Sequence, residues 1–143
     1  MELSESLIRE IVERTLREIG TEKMEKHVDP SGIMSIKVST VKCEPFAGAE
    51  GVGLKDATTL EEAPRMGAGV MELDHGELEW TLTYDEYDYV IEGTLQIEID
   101  GRIIEGKAGD IIYIPRNSHI RFKTPDFTRY AYFVYPANWS ELV

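Results

Sequence analysis

The sequence predicts an all-β fold, a small antiparallel jelly-roll barrel, preceded by a short amphipathic α-helix. The chain has 143 residues, enough for one domain with a proper core. Apolar residues follow a helical spacing near the N-terminus, whereas from Ile33 onward short runs of β-branched and aromatic residues are separated by Gly, Pro, Asp and Asn. We therefore divide the chain into residues 1–27, the helix and the start of a linker, and residues 28–143, the barrel.

The predicted helix covers residues 3–19. Its apolar residues recur every three or four positions, which places them along one face, and Gly20 stands where the helix would end. Residues 27–32 include Asp, Pro and Gly and predict a turn that separates the helix from the strands. The apolar face consists of Leu3, Leu7, Ile8, Ile11, Val12, Leu16 and Ile19. Such a face needs a surface to pack against.

The strand predictions rest on apolar alternation and on turn residues. Gly93 predicts a turn between two strands, and Asp100-Gly101 predicts a hairpin, because both residues tolerate the positive φ of a type I′ turn. Many short strands at near-regular spacing are typical of a barrel or a sandwich. The predicted strands in this part of the chain are 78–84, 87–91, 94–99, 111–114, 120–123 and 129–135.

Composition excludes several classes of partner. The formal net charge of −12 disfavours nucleic acid, whose phosphates are bound by Lys and Arg. No apolar run reaches the length of a membrane helix, and the charged N-terminus does not resemble a secretory signal, so we expect a cytoplasmic protein with no membrane partner. The lone Cys43 excludes an intramolecular disulfide, and we expect it to be a free, inert thiol.

Two segments carry a resemblance to a known superfamily. In the first, Glu86 and Gly93 are separated by six residues. In the second, Gly109 is followed after five residues by Pro115, then by Asn117 and, after two more residues, by Ile120. In this order, with the hairpin between them, the segments resemble the two motifs of the cupin superfamily. The resemblance implies a cupin barrel, in which Asn117 takes the place of a turn glycine.

The metal ligands of that superfamily are largely missing. Metal-binding cupins offer two His and a Glu from the first motif and a His from the second, a set suited to transition metals. Of these four positions the sequence retains only Glu86, and the last falls on Ile120. His119 is adjacent, but the alternation of Ile120 and Phe122 places it on the outward face. We therefore expect no metal site, and a metal-dependent oxygenase or isomerase is disfavoured.

Glu86 is the candidate catalytic residue, because a carboxylate that points into a barrel is costly unless it is paired or employed. The alternative is that Glu86 accepts hydrogen bonds and orders the barrel mouth. The other candidates for lining a pocket are Glu79, Thr81, Thr83, Tyr84, Asp88, Tyr113, His119 and Tyr132. Trp80, Leu82 and Ile120 would instead fill the interior if no pocket existed.

A closer resemblance comes from residues 82–86, residues 90–95 and the tail at residues 134–139. These segments resemble the EutQ family of ethanolamine-utilisation proteins. The resemblance implies a homodimeric barrel with a degenerate cupin site, located in the cytoplasm in or beside a bacterial microcompartment. It also implies acetate kinase activity, with no tightly bound cofactor and with Mg²⁺ arriving with ATP.

Two functions stay open at this stage. The first is the acetate kinase, in which Glu86 and neighbouring carboxylates would hold Mg²⁺ and the pocket would hold the nucleotide. Phosphoryl transfer also needs positive charge around the phosphates. Arg116, Arg121, Lys123 and Arg129 are candidates, but nothing in their spacing directs them to the barrel mouth. The second is a non-catalytic module that binds a metabolite or assembles with a shell. In either case residues 3–19 dock on a microcompartment shell protein, or pack on the chain's own barrel or a dimer mate.

Overall fold

The computed structural model describes residues 5, 6, 8, 9 and 23–139. The predicted helix at residues 3–19 therefore lies almost entirely outside the described residues and stays a prediction. The chain divides into two compact units, Met1–Lys42 and Cys43–Val143. The sequence-based boundary between residues 27 and 28 also stays a prediction. No helix in the described part of the chain is long and apolar enough to cross a membrane.

The first unit contains a small antiparallel hairpin. Strand β1 (Lys26–Val28) pairs with β2 (Met34–Ile36), and a 3-10 helix follows at Val38–Thr40. Asp29 closes the turn between the strands, because its carboxylate accepts a hydrogen bond from the backbone N–H of Ser31 at 2.9 Å. The turn predicted at residues 27–32 is thus present, but it joins two strands of a hairpin instead of forming an open linker.

The second unit is a curled, barrel-like sheet of nine strands, which confirms the prediction of an all-β fold. Seven of its strands follow the order β3-β4-β5-β11-β7-β10-β6, and β8 and β9 both pair with β7. Every recorded pairing is antiparallel. The strands are β3 (Glu44–Pro45), β4 (Val52–Asp56), β5 (Gly67–Asp74), β6 (Leu78–Thr81), β7 (Asp85–Ile99), β8 (Arg102–Lys107), β9 (Ile111–Ile114), β10 (His119–Lys123) and β11 (Phe127–Tyr135).

Strand β7 runs through both halves of this sheet. Its first part pairs with β9 and β11, and its second part pairs with β8 and β10. Gly93 lies where the partners change, with a φ of +75°, and a Cβ added there would collide with the carbonyl oxygen of Phe127. The turn predicted at Gly93 is wrong: the glycine bends one long strand instead of ending it, because β11 and β10 keep both parts hydrogen-bonded.

A β-bulge beside this bend decides which side chains face the interior. Arg129 is paired with Glu92 and Tyr130 with Val90, so Ile91 has no opposite residue on β11. One extra residue in a strand reverses the alternation of its two faces. After the bulge Leu95 and Ile97 are buried, whereas before it the even-numbered Glu86, Asp88 and Val90 are buried. The bulge therefore turns an acidic face inward and an aromatic face outward.

Turns elsewhere follow the sequence-based expectations. Asp100 and Gly101 have φ values of +50° and +76° and join β7 to β8, which confirms the predicted hairpin. Asn117 has a φ of +72°, the left-handed conformation expected at the place of a turn glycine. The core between the sheet's curled faces includes Leu73, Leu82, Val90, Leu95, Ile112, Ile120, Phe122 and Tyr130. Leu82 and Ile120 thus fill the interior, as the alternation predicts.

Candidate functional site

A small cavity opens between the strands of the second unit. Its volume is about 20 Å³, room for the centre of roughly one water-sized group. The described residues that line it are Phe46, Leu54, Met71, Leu78, Trp80, Tyr84, Glu86, Phe122, Tyr132, Val134 and Trp139. Glu86 is the only carboxyl among them, so the cavity is an apolar and aromatic space with one acidic group on its wall.

Four aromatic rings form one side of the cavity. Trp80 contacts Phe46 and Trp139 with ring centroids 5.9 and 6.0 Å apart and interplanar angles of 80° and 66°. Tyr84 lies 6.0 Å from Trp139 and accepts a hydrogen bond of 2.8 Å from the indole N–H of Trp80. Edge-to-face contacts of this kind hold rings in fixed relative orientations. Because Phe46, Trp80 and Trp139 are only half-buried, this side of the cavity reaches the surface.

Glu86 and Asp88 form a buried carboxyl pair. They lie two residues apart on β7 and therefore on the same face, with exposed fractions of 5% and 0%. Burial raises the pKa of Glu86 to about 7, and the neighbouring Asp88 offsets part of this rise. Burial, reinforced by the charge of Glu86, raises the pKa of Asp88 well above its usual value. At neutral pH the pair therefore retains protons that exposed carboxyls would lose.

Phenol groups surround the pair, but they donate their hydrogen bonds to other residues. Tyr132 donates to a carboxylate oxygen of Asp56 at 2.5 Å, and Tyr130 donates to the sulfur of Met71 at 2.9 Å. Burial raises the pKa of both phenols, so they stay protonated over the physiological range. Neither oxygen of Asp88 has a hydrogen-bond partner within the described residues. The pair is thus enclosed by polar groups that do not satisfy it.

Three predicted pocket residues lie on the outer face of the sheet instead. His119 is paired with Thr81 across β10 and β6, and its ring contacts the Thr81 hydroxyl at 2.5 Å and the Glu79 carboxylate at 2.8 Å. The hydrogen bond with His119 lowers the pKa of Glu79 below its usual value. These three residues do not line the cavity beside Glu86, because the alternation of β6 and β10 points them away from the interior. Glu79 and His119 instead line a separate surface pocket with Glu98, Asp100 and Arg121.

The other predicted pocket residues also divide between those that lie at the cavity and those that do not. Tyr84 and Tyr132 line the cavity, and Asp88 lies behind Glu86. Tyr113 is half exposed on the outer face of β9, where its hydroxyl donates to Asp85 at 3.2 Å, so its assignment to the pocket is corrected. Thr83 is half-buried and does not line the cavity, which corrects its assignment as well.

Sequence reasoning missed several residues of the cavity. Phe46, Leu54 and Met71 belong to strands and loops that precede the cupin-like motifs, and the motif spacing gives no reason to connect them with Glu86. Trp139 lies in the tail, where only its type gave a signal, since a large aromatic near the end of a short β-domain usually packs on the core. The cavity is therefore built from parts of the chain that the motifs do not cover.

The residues around the cavity do not fit a resident metal ion. Within the described residues, no group of three or more His, Cys, Asp or Glu side chains could hold one. Mg²⁺ is usually held by one or two carboxylates together with waters and substrate phosphates, and a cavity of about 20 Å³ has no room for these further ligands. On the outer face, Arg121 lies 3.4–3.7 Å from Glu77, Glu79 and Glu98.

Comparison with known proteins identifies the family. The family model described as "Ethanolamine utilisation protein EutQ" matches residues 1–141. The chain belongs to the EutQ family. A relative from Clostridioides difficile named "Acetate kinase EutQ" is 43% identical over 145 residues, which cover 96% of this chain and 92% of the relative. A relative of the same name from Salmonella typhimurium is 37% identical, and the match covers 99% of this chain but 66% of that relative.

Solved structures agree with this assignment. The structure of the Clostridium difficile EutQ protein matches with a TM-score of 0.78 and 44% identity, covering 84% of this chain and 92% of that chain. A putative EutQ from Salmonella typhimurium matches with a TM-score of 0.76 and 40% identity, covering 81% and 96%. An RmlC-like cupin from Shewanella frigidimarina matches with a TM-score of 0.61 at 17% identity, covering 82% and 97%, which shows a shared fold alone. Both resemblances seen in the sequence are confirmed.

The EutQ assignment covers the whole site described above. Every residue that lines the cavity falls within the range matched by the family model. The chain is thus an ethanolamine utilisation protein with a cupin fold whose interior holds an acidic pair and an aromatic wall in place of the usual His ligands.

Proposed function

We propose that this chain acts in ethanolamine utilisation as an acetate kinase, converting ATP and acetate to acetyl phosphate and ADP. The observation that carries the proposal is the match to a relative of that name along 92% of the relative's length at 43% identity. The alignment with that relative covers 96% of this chain.

Glu86 is the residue that we place at the reacting centre. Among the described residues it is the only carboxyl that lines the cavity, and its pKa of about 7 leaves it partly protonated at neutral pH. A protonated carboxyl can donate a hydrogen bond to one oxygen of acetate, while the rest of the acetate extends toward the half-buried rings of Trp80 and Phe46. The ionised form would repel acetate, so activity should fall as the pH rises through 7.

The nucleotide has to bind outside the cavity, because about 20 Å³ cannot hold a triphosphate. Mg²⁺ would arrive with ATP, since the carboxyl pair does not fit it as a resident ion. Lys123 and Arg129 lie 3.7 and 3.2 Å from Glu98 and Glu72, so each would have to leave a carboxylate to reach the phosphates. The pairing of these two cationic side chains with carboxylates is the observation that supports the kinase proposal least.

The decisive experiment measures acetyl phosphate formed from acetate, ATP and Mg²⁺ by the purified protein. Glu86→Gln keeps the size and an N–H donor for acetate but cannot ionise, so we expect its activity to persist at pH 6 and the decline above pH 7 to disappear. Glu79→Gln is the matched control, because this carboxylate lies on the outer face, and it should keep the wild-type rate. Wild-type activity no higher than that of a heat-denatured sample would refute the proposal.

A second candidate function is a non-catalytic binding module. The observation that favours it is the nearly filled interior, in which Leu82, Ile120 and the aromatic wall leave space for about one small group. In this case the wild type produces no acetyl phosphate, yet a small molecule still changes the NMR signals of the indole N–H groups of Trp80 and Trp139. The same purified protein serves for both measurements.

The oligomeric state of the chain is also a proposal. We propose a homodimer that forms through the outer face of β7, β9 and β11, where Tyr87, Tyr89, Ile111, Tyr113, Phe133 and Tyr135 are 43–66% exposed. An exposed apolar patch of this kind is typical of an interface. Light scattering on the eluting protein measures the mass, and a monomer at micromolar concentration would exclude the dimer.

We propose that residues 3–19 dock on a microcompartment shell protein and so place the chain in or beside that compartment in the cytoplasm. Their apolar positions recur every three or four residues, a spacing that predicts one helical face suited to a groove on a partner. A full-length chain should co-sediment with assembled shells, whereas a chain that lacks residues 1–27 should stay in solution. Equal sedimentation of the two chains would contradict the proposal.

A further inference from the structure

The cavity presents one buried carboxyl group to a ligand. Its neighbour Asp88 is fully buried on the same face of β7 and does not itself line the cavity. Glu86 is 5% exposed and presents its carboxyl to the cavity. Ionised carboxylates only accept hydrogen bonds, and leaving them unpaired in a protein interior is costly. A ligand that enters here gains most if it brings a hydrogen-bond donor and a positive charge.

The surrounding groups do not supply that positive charge themselves. The titratable side chains that face the pair are Tyr84 from the loop before β7 and Tyr130 and Tyr132 from β11, with Asp56 of β4 behind Tyr132. Tyr130 and Tyr132 donate their protons to Met71 and Asp56, and no described cation lies among these groups. The electrostatic character of the cavity is therefore negative whenever the pair is ionised.

Size and wall chemistry narrow the class of ligand. About 20 Å³ accepts one small head group and excludes a nucleotide or a sugar. The walls contain Trp80, Trp139, Phe46 and Tyr84, and aromatic faces attract organic cations, Trp most strongly. An anion would meet a like charge, and a tetraalkylammonium ion would bring no donors and exceed the space. A water-sized cation with N–H donors meets all three conditions.

We propose that the cavity binds a primary ammonium head group, which donates a hydrogen bond to the carboxylate of Glu86 and packs against the rings of Trp80 and Trp139. The rest of the amine extends through the half-buried aromatic side toward solvent. The inference does not rest on the acetate kinase proposal, because binding requires neither ATP nor acetate. It assigns the cavity a ligand of opposite charge to acetate, so the two proposals predict opposite pH dependence.

The two tryptophans of the chain make the test direct, because both line the cavity. In ¹⁵N-labelled full-length protein each gives one indole N–H signal. We would titrate methylammonium chloride and 2-aminoethanol hydrochloride at pH 6 and pH 8, with sodium chloride, tetramethylammonium chloride and sodium acetate at equal ionic strength as comparisons. We expect both amines to move the two indole signals to saturation, with at least fivefold higher affinity at pH 8.

Variants separate this site from general effects of charge. Glu86→Gln should weaken methylammonium binding at least tenfold at pH 8, whereas Glu79→Gln should stay within twofold of the wild type. Dispersed amide signals and an unchanged urea midpoint, or a higher one, establish that Glu86→Gln is folded. Unmoved indole signals, equal shifts with sodium or tetramethylammonium ions, or unaltered affinity in folded Glu86→Gln would each overturn the inference.

Discussion

Replacing Glu86 by Gln should stabilise the protein at alkaline pH and leave it nearly unchanged at acidic pH. The side chain is 5% exposed and sits beside Asp88 in an apolar cavity, so its ionised form is the unfavourable one. Gln has the same size and never ionises. The variant therefore removes the cost of burying a charge and keeps the packing of the cavity wall.

The magnitude follows from the pKa. Burial raises the pKa of Glu86 from 4.5 to about 7 in the folded state. The folded state then binds more protons than the unfolded state between these values, so the stabilising contribution present below pH 4.5 is lost as the pH rises to about 7. At 1.36 kcal/mol for each pH unit, the loss is about 3 kcal/mol. The Glu86→Gln variant does not lose stability in this way, because Gln does not titrate.

Urea unfolding, followed by tryptophan fluorescence at pH 5, 6, 7 and 8, would measure this loss of stability. The quantity of interest is the free energy of unfolding of the variant minus that of the wild type, which cancels the general repulsion in a chain of net charge −12. We expect this difference to rise by up to about 3 kcal/mol between pH 5 and 8. Glu79→Gln provides the control, and its difference should not rise, because Glu79 is exposed and its pKa is lowered.

A difference that stays constant across this range would refute the burial argument. It would mean that Glu86 titrates as an exposed carboxyl, and the cavity would then have to be open enough for water to solvate it. The proposals for both acetate and ammonium would lose their electrostatic basis with it.

Three further predictions concern other parts of the fold. Gly93→Ala should lower the free energy of unfolding by ~3 kcal/mol, since it combines a left-handed φ with a collision against the carbonyl of Phe127; a loss under about 1 kcal/mol in urea unfolding would count against the bend. Ile111→Glu should halve the mass measured by light scattering without shifting the urea midpoint, and an unchanged mass would place the dimer interface elsewhere. Cys43 should react with iodoacetamide far more slowly in native than in unfolded protein, because burial, reinforced by Glu72, raises its thiol pKa to about 12; equal rates would show an accessible thiolate.

The sequence predicted most of the second unit because its signals are local. Alternation, turn residues and the spacing of the two motifs gave the strands, the hairpin at Asp100 and the left-handed Asn117, each of which depends on near neighbours. The same patterns placed Ile120 inward and His119 outward. Glu86 was found for the same reason, since it belongs to a motif whose register is fixed.

The bulge at Ile91 is where local reasoning was insufficient. The motif placed Glu86 inward and Asp88 among the pocket candidates, but a turn was expected at Gly93, and nothing predicted one continuous strand whose buried face changes from even to odd positions. The extra residue opposite β11 makes this change, because it shifts the alternation by one. That shift depends on pairing with a strand about forty residues away, which no spacing within the motif reveals.

The free-energy cost of burying the Glu86–Asp88 pair links the stability of the protein to ligand binding in the cavity. At pH 8 the ionised Glu86 destabilises the free protein, and a bound ammonium ion would return part of that free energy by supplying a hydrogen-bond donor and a positive charge. At pH 6 protons already neutralise Glu86, so an amine has less to gain. Methylammonium should therefore raise the melting temperature more at pH 8 than at pH 6 in the wild type, and equally little at both in Glu86→Gln. Acetate should show the reverse order, because it needs the protonated carboxyl, and a shift of the same size with both salts at both pH values would mean that neither ligand enters the cavity.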